Sequence, residues 1–322
     1  MIDLFPVNKN DFSDPVIVTG AGGCIGSWVL YLLQAAGIDV IALDLRKDTR
    51  RPRLLMTKEE VSSITWLEGD ISDPQTIMSA VEKNNVGAII HLAALQVPFC
   101  KADPILGAQV NVVGTTNVLE AARQVGIKRL AYASSIAAHG VFDPNTVSTL
   151  YGAYKFCNEE TAKVYMQDWG VPSTCLRPGV VYGVGRDQGM TSKTTMAILA
   201  AAMKRTYTIP FKGSVSWLHA GEVASAFIRS VSKPRDAARV FDINGSIATV
   251  EASLKKIQAM APESDISAEG SALPFPTDLS DEPLRAYLGD YGSVELDEGI
   301  ESTYKNFCKL VDEGMLSPDA LL

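Results

Sequence analysis

Val16-Ile-Val-Thr-Gly20-Ala-Gly-Gly23-Cys24-Ile25-Gly26 is the stretch whose reading decides the fold. A short β-branched, apolar run enters a glycine-rich turn, and a helical pattern then runs from Cys24 to Ala36, closed by Gly37. A second apolar strand, Ile38 to Leu43, follows, so the segment reads as one strand-helix-strand unit. Glycine is needed where the chain turns tightly, where backbone approaches a pyrophosphate, and where helix meets strand. The helix start adds unpaired N–H groups and the positive end of its dipole, which suits an anion.

Asp44 stands 24 residues after Gly20 at the end of that second strand. About 20 residues is the separation at which an acid takes the ribose hydroxyls of a bound dinucleotide. The plain alternative is a solvated strand-end carboxylate. With the glycines before it, Asp44 points to a dinucleotide site formed by Gly20, Gly23, Cys24, Ile25, Gly26 and Asp44. A carboxylate there repels a 2′-phosphate and favours NAD over NADP. Arg46, Lys47, Arg50, Arg51 and Arg53 just beyond it are either a solvated loop or a seat for that phosphate, so NADP stays open.

Outward from this unit the alternation continues. Strands are expected at Ile64 to Leu67, Val86 to His91, Arg129 to Ala133 and Pro172 to Leu176. Helices are expected from Asp73-Pro74, from Pro104 to Val125, and from Leu150 to Asp168 with Gly170 as the stop. Fully apolar strands alternating with helices imply an α/β fold, a doubly wound parallel sheet covered on both faces. After Leu176 the periodicity blurs, and helices are expected only at Ser192 to Met203, Gly221 to Val231 and Leu296 to Val311. That pattern suggests a nucleotide domain over residues 1–178 and a smaller, mainly substrate-binding lobe over 179–322, with some of its segments returning to the first core.

Composition narrows the function classes. The 322 residues are 47% hydrophobic and 20% charged, as in ordinary soluble globular chains, with room for a sizeable core. A net charge of -8 disfavours nucleic acid, which is held through clustered Lys and Arg. Five scattered cysteines and three histidines show no metal-ligand spacing and no disulfide framework, so no metal is expected and the compartment reads as reducing. Glycines split the apolar stretch from Val16 to Leu45, which argues against a membrane span, and the polar, acidic start of the chain carries no export address. A cytoplasmic enzyme is the expectation.

Tyr151 and Lys155 lie four apart at the start of a helix, on one face. An ammonium beside a phenol favours the phenolate, which would make Tyr151 a usable base for an alcohol proton. Taken alone the pattern is common. Here it follows a strand ending in Ser134-Ser135, where the carboxyl ends of strands line a ligand crevice. Ser135 is then either the hydroxyl that orients a substrate oxygen or a helix cap.

With these residues in view, the chain resembles the extended short-chain dehydrogenase/reductases, the NAD-dependent epimerase/dehydratase family. The ordered motifs are Thr19-Gly-x-x-Gly-x-x-Gly26, Gly69-Asp70-Ile71, His91-Leu-Ala-Ala94, Asn111-Val-x-Gly-Thr115, Ser134-Ser135, Tyr151-x-x-x-Lys155 with Glu159, and Leu176-Arg-Pro178 before Val181-Tyr-Gly183. The resemblance implies a Rossmann domain of about seven strands with a small C-terminal substrate lobe. It implies that Asp70 and Ile71 flank adenine, that Leu92, Ala93 and Ala94 line the pyrophosphate and ribose path, and that Lys155 holds the nicotinamide ribose. Pro178 and Val181 would lie near the nicotinamide. It further implies a homodimer through the helices around 104–125 and 150–168.

The chain also departs from that family. Ile136-Ala137-Ala138 follows Ser135 where the dehydratases carry an acidic pair, and a cysteine near Ile136 is missing, so dehydration and double epimerisation are both disfavoured. Val180 and Val215 stand where nucleotide-sugar epimerases place an Asn and a diphosphate-gripping Arg. Arg186, Lys193 and Lys212 are the candidate replacements, and Gln96 and His139 are further candidates for the substrate crevice. The expected activity is hydride transfer between NAD and a secondary alcohol or ketone of a sugar-like substrate. Tyr151 is its acid/base and Ser135 orients the hydroxyl. A nucleotide-sugar 4-epimerase is the alternative, and a non-catalytic dinucleotide sensor the third.

Overall fold

The computed structural model describes residues 2–317. The opening unit is β1 (Val16–Thr19), α1 (Cys24–Ala35) and β2 (Val40–Asp44). Next come α2 (Lys58–Ser63), β3 (Thr65–Glu68), α3 (Pro74–Lys83), β4 (Ala88–His91), α4 (Val97–Ala102), α5 (Pro104–Ala108), α6 (Gly114–Val125), β5 (Leu130–Ala133), α7 (Leu150–Trp169) and β6 (Ser173–Pro178). The remainder is β7 (Val180–Tyr182), α8 (Lys193–Ala202), β8 (Tyr207–Ile209), β9 (Ser214–His219), α9 (Ala220–Val231), β10 (Ala238–Ile243), β11 (Ser246–Thr249), α10 (Val250–Met260), β12 (Ile266–Ala268), α11 (Glu282–Leu288) and α12 (Leu296–Asp312).

Seven strands form one sheet in the order β10-β6-β5-β4-β1-β2-β3, and every pairing in it is parallel. Along β1, Val16 and Val18 join the core shared with α1 and α9, while Ile17 joins the core shared with α3 and α6. The strands are therefore apolar throughout because each face is covered, the condition a parallel sheet needs. Strand order reverses between β1 and β4, and the crevice at the carboxyl ends of those two strands is where an open sheet of this kind holds ligands.

Residues beyond Pro178 divide. β7, β9 and β11 make a three-stranded sheet, β8 and β12 a two-stranded one, and α8 packs against α12 and α10. In contrast, β10 extends the large sheet beside β6, and α9 packs on α1 behind it. The blurred periodicity after Leu176 reflects the loss of the strand-helix alternation of the first half, since β7, β9 and β11, and β8 and β12, belong to small separate sheets.

One expected helix differs from the observed one, and an unexpected helix stands before it. The helix expected over 104–125 is helical throughout but widens to a π segment at Gln109–Val113, and α4 precedes it unforeseen. The widening leaves the Asn111 carbonyl to accept from Asn158 Nδ2 at 2.8 Å and Thr115 Oγ1 at 2.8 Å. Asn111 in turn closes a pair of bonds on Leu95, with Oδ1 accepting from its N–H at 2.7 Å and Nδ2 donating to its carbonyl at 2.9 Å. The loop that leaves β4 toward the crevice is held in this way. None of the helices among the described residues is long and apolar enough to cross a membrane.

Candidate active site

The glycine turn is built for close approach. Gly20 has φ +67°, and a Cβ on it would lie 2.6 Å from the Ala93 nitrogen. A Cβ on Gly26 would collide with the Gly20 carbonyl. Substitution at either position would push β1, α1 and the loop after β4 apart, so the α1 N-terminus faces the crevice with bare backbone. His91 stitches the floor beneath it, with Nδ1 bonded to Thr19 Oγ1 at 2.7 Å and Nε2 to Thr115 Oγ1 at 3.1 Å. Burial pushes its pKa down to about 3, so it serves as a neutral structural imidazole.

Asp44 both lines the crevice and braces it. Its Oδ2 accepts the Gly22 N–H at 2.9 Å and its Oδ1 the Leu45 N–H at 2.8 Å. Burial raises its pKa while the two backbone bonds act against that rise. Each oxygen keeps a further lone pair for a ribose hydroxyl. Of the basic run, Arg50 is paired with Asp48, and Arg51 makes a two-pronged contact with Asp187, its Nη2 to Oδ1 at 2.8 Å and its Nε to Oδ2 at 3.1 Å. Arg51 Nη1 also donates to the Gly22 carbonyl at 3.1 Å. This clamp ties the loop after β2 and the glycine turn to the segment after β7.

At the other end of the crevice, α7 sets the catalytic candidates. The Thr149 hydroxyl oxygen caps the helix by accepting the Gly152 N–H at 2.9 Å, and a Cβ on Gly152 would collide with the Ala137 carbonyl. The first turn of α7 is thereby pressed against the short 3-10 helix Ile136–Val141, which brings Tyr151 beside Ser135. Ser135 is also the cap of that short helix, its Oγ accepting the Ala137 N–H at 3.2 Å. The cap expected from the sequence is therefore present, and accepting as a cap leaves the Ser135 hydroxyl proton free to donate elsewhere.

Lys155 is 3% exposed. Its Nζ donates to the Ala133 carbonyl at 2.6 Å and lies 5.6 Å from the Tyr151 ring centre. Burial lowers its pKa to about 8. Tyr151 corrects a sequence expectation, for its phenol is raised rather than lowered. Burial is the largest cause, opposed first by the Ser135 hydroxyl and then by the Arg186 charge, with the Cys100 thiol adding to the rise.

One turn further along α7, Glu159 is 1% exposed and accepts from Ser134 Oγ and from Arg177 Nε at 2.8 Å. Arg177 also has Asp242 at 3.8 Å, and Asp242 bonds His139 Nε2 at 2.8 Å. His139 therefore belongs to a supporting network behind Ser134 and does not line the crevice. The network escaped sequence reading because its members come from α7, β6, β10 and the segment after β5.

The crevice has a volume of about 600 Å³. Gly20, Gly23, Cys24, Ile25, Gly26 and Asp44 line one end, and Asp70, Ile71, Leu92, Ala93 and Ala94 its walls. Ser135, Tyr151, Lys155, Pro178 and Val181 line the other, with Gln96 and Arg186 beyond. Lys193 and Lys212 do not reach it, and Val215 is buried in the core. Phe275 lines it without any prior sequence signal, being an isolated aromatic in a loop. The bare helix start, the Gly20 approach and the Asp44 carboxylate fit a dinucleotide, with Lys155 and Tyr151 at its far end. Among the described residues there is no cluster of His, Cys, Asp and Glu that could hold a metal ion.

Comparison with known proteins identifies relatives of this fold. The chain is 29% identical over 316 residues to a UDP-glucose 4-epimerase of Mycolicibacterium smegmatis, covering 90% of this chain and 97% of the other. Among solved structures, a UDP-glucose 4-epimerase of Thermus thermophilus complexed with NAD superposes with a TM-score of 0.74 at 25% identity, over 91% of this chain and 98% of that one. An L-threonine dehydrogenase of Clostridium difficile shares the fold with a TM-score of 0.79 at 20% identity, over 94% and 99% of the two chains. The family model described as NAD dependent epimerase/dehydratase matches residues 16–244, a span that holds the Gly20–Gly26 turn, Asp44 and the Ser135, Tyr151 and Lys155 set, and this chain belongs to that family of enzymes.

Proposed function

We propose that the protein transfers hydride between NAD and a secondary alcohol or ketone of a sugar-like substrate. The observation that carries the reading is that Ser135, Tyr151 and Lys155 open into the same crevice as the Gly20–Gly26 turn and Asp44. Bound NAD supplies the hydride acceptor. In oxidation Tyr151 takes the hydroxyl proton as the carbon-bound hydrogen leaves, and Ser135, its single proton donated to the Tyr151 oxygen, holds that base beside the substrate. NAD is favoured over NADP because Asp44 sits at the ribose end, and because Arg50 and Arg51 are already committed to Asp48 and Asp187. Residues 1–178, with β10 and α9, form the nucleotide domain in this reading, and the remaining segments form the substrate lobe. A cytoplasmic homodimer through α5, α6 and α7 is part of the same proposal; Ile105, Val113 and Val164 are exposed apolar residues on those helices and the π segment between them.

A nucleotide-sugar 4-epimerase is the second reading, supported by the relative that matches over nearly its whole length. Val180 and Val215 stand against it. Denaturing freshly purified protein and quantifying released nicotinamide dinucleotide separates the two. An epimerase retains cofactor near one per chain, whereas a dehydrogenase must exchange it and yields little. In either case Tyr151→Phe should lower turnover by about 100- to 10,000-fold while leaving cofactor affinity intact. Undiminished turnover in that variant refutes the assignment of Tyr151.

A further inference from the structure

The cations lining the crevice are not equally occupied. Lys155 donates to the Ala133 carbonyl, and Arg51 is held by Asp187 and Gly22. Arg186 is different. Its Nη2 donates to Thr191 Oγ1 at 3.0 Å, its Nε is buried with no hydrogen-bond partner, and no carboxylate among the described residues pairs with it. Asp187, the carboxylate next to it in sequence, is taken by Arg51. Arg53 and Arg229 also leave a buried Nε unpaired, but neither lines the crevice. The atoms that close the Nε off from water close it off from a ligand oxygen too, so what Arg186 offers the crevice is the Nη side of its guanidinium and a charge that no carboxylate neutralises.

We propose that Arg186 anchors a carboxylate of the substrate, so that the secondary alcohol presented to Tyr151 and Ser135 belongs to an acid. This deepens the hydride-transfer reading above and rests on it. Arg186 lines the same crevice as Tyr151, and its charge is felt at the Tyr151 phenol. Gln96 closes the same edge, since a side chain on Gly189 would collide with Gln96 Oε1 and lie 3.4 Å from Arg186 Nη2. A planar carboxylate matches the guanidinium fork with two parallel bonds. A diphosphate, with more charge spread over two groups, calls for more than one such grip. Lys193 and Lys212 do not line the crevice, and Val215 offers none. The carboxylate has two sources, a small hydroxy acid or a sugar acid carried on a nucleotide.

The test measures binding to the full chain saturated with NAD, by calorimetric titration of two matched pairs. These are 3-hydroxybutyrate against its methyl ester, and UDP-glucuronate against UDP-glucose. In one pair the acid is expected to bind at least about tenfold more tightly than its neutral partner, the scale of a hydrogen bond to a charged group. Arg186→Gln should erase that preference and leave the neutral partner within about twofold. Arg186→Lys, which keeps the charge and loses the fork, should restore part of it, and thermal melts confirm that both variants fold. A preference in the first pair assigns a small hydroxy acid, and one in the second a nucleotide-linked sugar acid. A cofactor-loaded protein with no acid preference in either pair, or with a preference that survives Arg186→Gln, overturns this proposal alone. A chain that takes up neither NAD nor NADP overturns the hydride-transfer reading with it.

Discussion

Replacing Ser135 by alanine should move the pH dependence of alcohol oxidation upward by about one to two units. Tyr151 must lose its proton to act as base, and its buried phenol sits above its ordinary pKa of 10. The largest influence pulling it back is the Ser135 hydroxyl. Because Ser135 Oγ already accepts the Ala137 N–H, its own proton is left to donate to the phenolate oxygen. A hydrogen bond to a charged acceptor contributes about 1.5–3 kcal/mol. At about 1.4 kcal/mol per pKa unit, that is the stated shift. The assay is kcat/KM for NAD-dependent oxidation across the alkaline limb for wild type, Ser135→Ala and Ser135→Thr. Below the midpoint the alanine variant should be slower by about 10- to 100-fold, the gap closing as pH rises, while threonine should follow wild type. Loss of the cap costs about 1 kcal/mol of stability, read separately by urea unfolding. A uniform fall in rate with an unmoved midpoint would mean that Ser135 touches only substrate, and the coupling to Tyr151 argued here would be refuted.

Glu159→Gln leaves Arg177 with only Asp242 at 3.8 Å, and breaking a buried ion pair costs about 3–5 kcal/mol. Arg177 keeps some solvent contact, so a loss of about 2–4 kcal/mol is expected from urea unfolding, and a loss below about 1 kcal/mol contradicts the importance of the network. Acidification has a definite sign. His91 and His219 are depressed from 6.5 to about 3 by burial, so their stabilising neutral forms persist above pH 6.5 and each loses about 1.4 kcal/mol per unit as pH falls toward 3. Glu222 is raised from 4.5 to about 7 by burial, so its contribution is full below pH 4.5, lost as pH rises through 7, and partly offsets the histidines. Between pH 7 and 4.5 unfolding should become easier by about 2–3 kcal/mol, and by about 5 kcal/mol in Glu222→Gln, which lacks the offset. Equal losses in the two proteins would contradict the Glu222 assignment.

The first half of the chain was legible because its signals are local. Gly20 to Gly26 is read within one turn, and β1, α1 and β2 fall within a residue or two of expectation at most ends. Asp44 and the four-residue spacing from Tyr151 to Lys155 need only strand ends and a helix period. The contacts that complete the site are long-range. Arg51 finds Asp187 136 residues away, and Glu159 meets Ser134 from 25 residues before it and Arg177 from 18 after. No period encodes such pairings; they follow from where β6, β10 and the segment after β7 come to rest. The small sheets after Pro178 follow no regular strand-helix alternation, and β7, β8 and β12 have only three residues each.

Tyr151 shows how a correct spacing can support an incomplete electrostatic inference. That Lys155 lies one turn from Tyr151 follows from the helix alone, but the consequence depends on what each group has lost. Lys155 is desolvated to a pKa of about 8 and spends a hydrogen bond on Ala133. Its charge, largely present at neutrality, is lost as pH rises through about 8, so its field at the phenol fades in the alkaline range where Tyr151 titrates. Desolvation acts on Tyr151 in the direction that disfavours the phenolate. What favours it in this chain is then Ser135 from one side and Arg186 from the other. If Arg186 holds a substrate carboxylate, its positive field at Tyr151 is partly neutralised on binding, and Ser135 becomes the main remaining support for the phenolate. The effect of Ser135→Ala should on this argument be larger with an acidic substrate than with a neutral one, and an equal effect on both would place the carboxylate elsewhere.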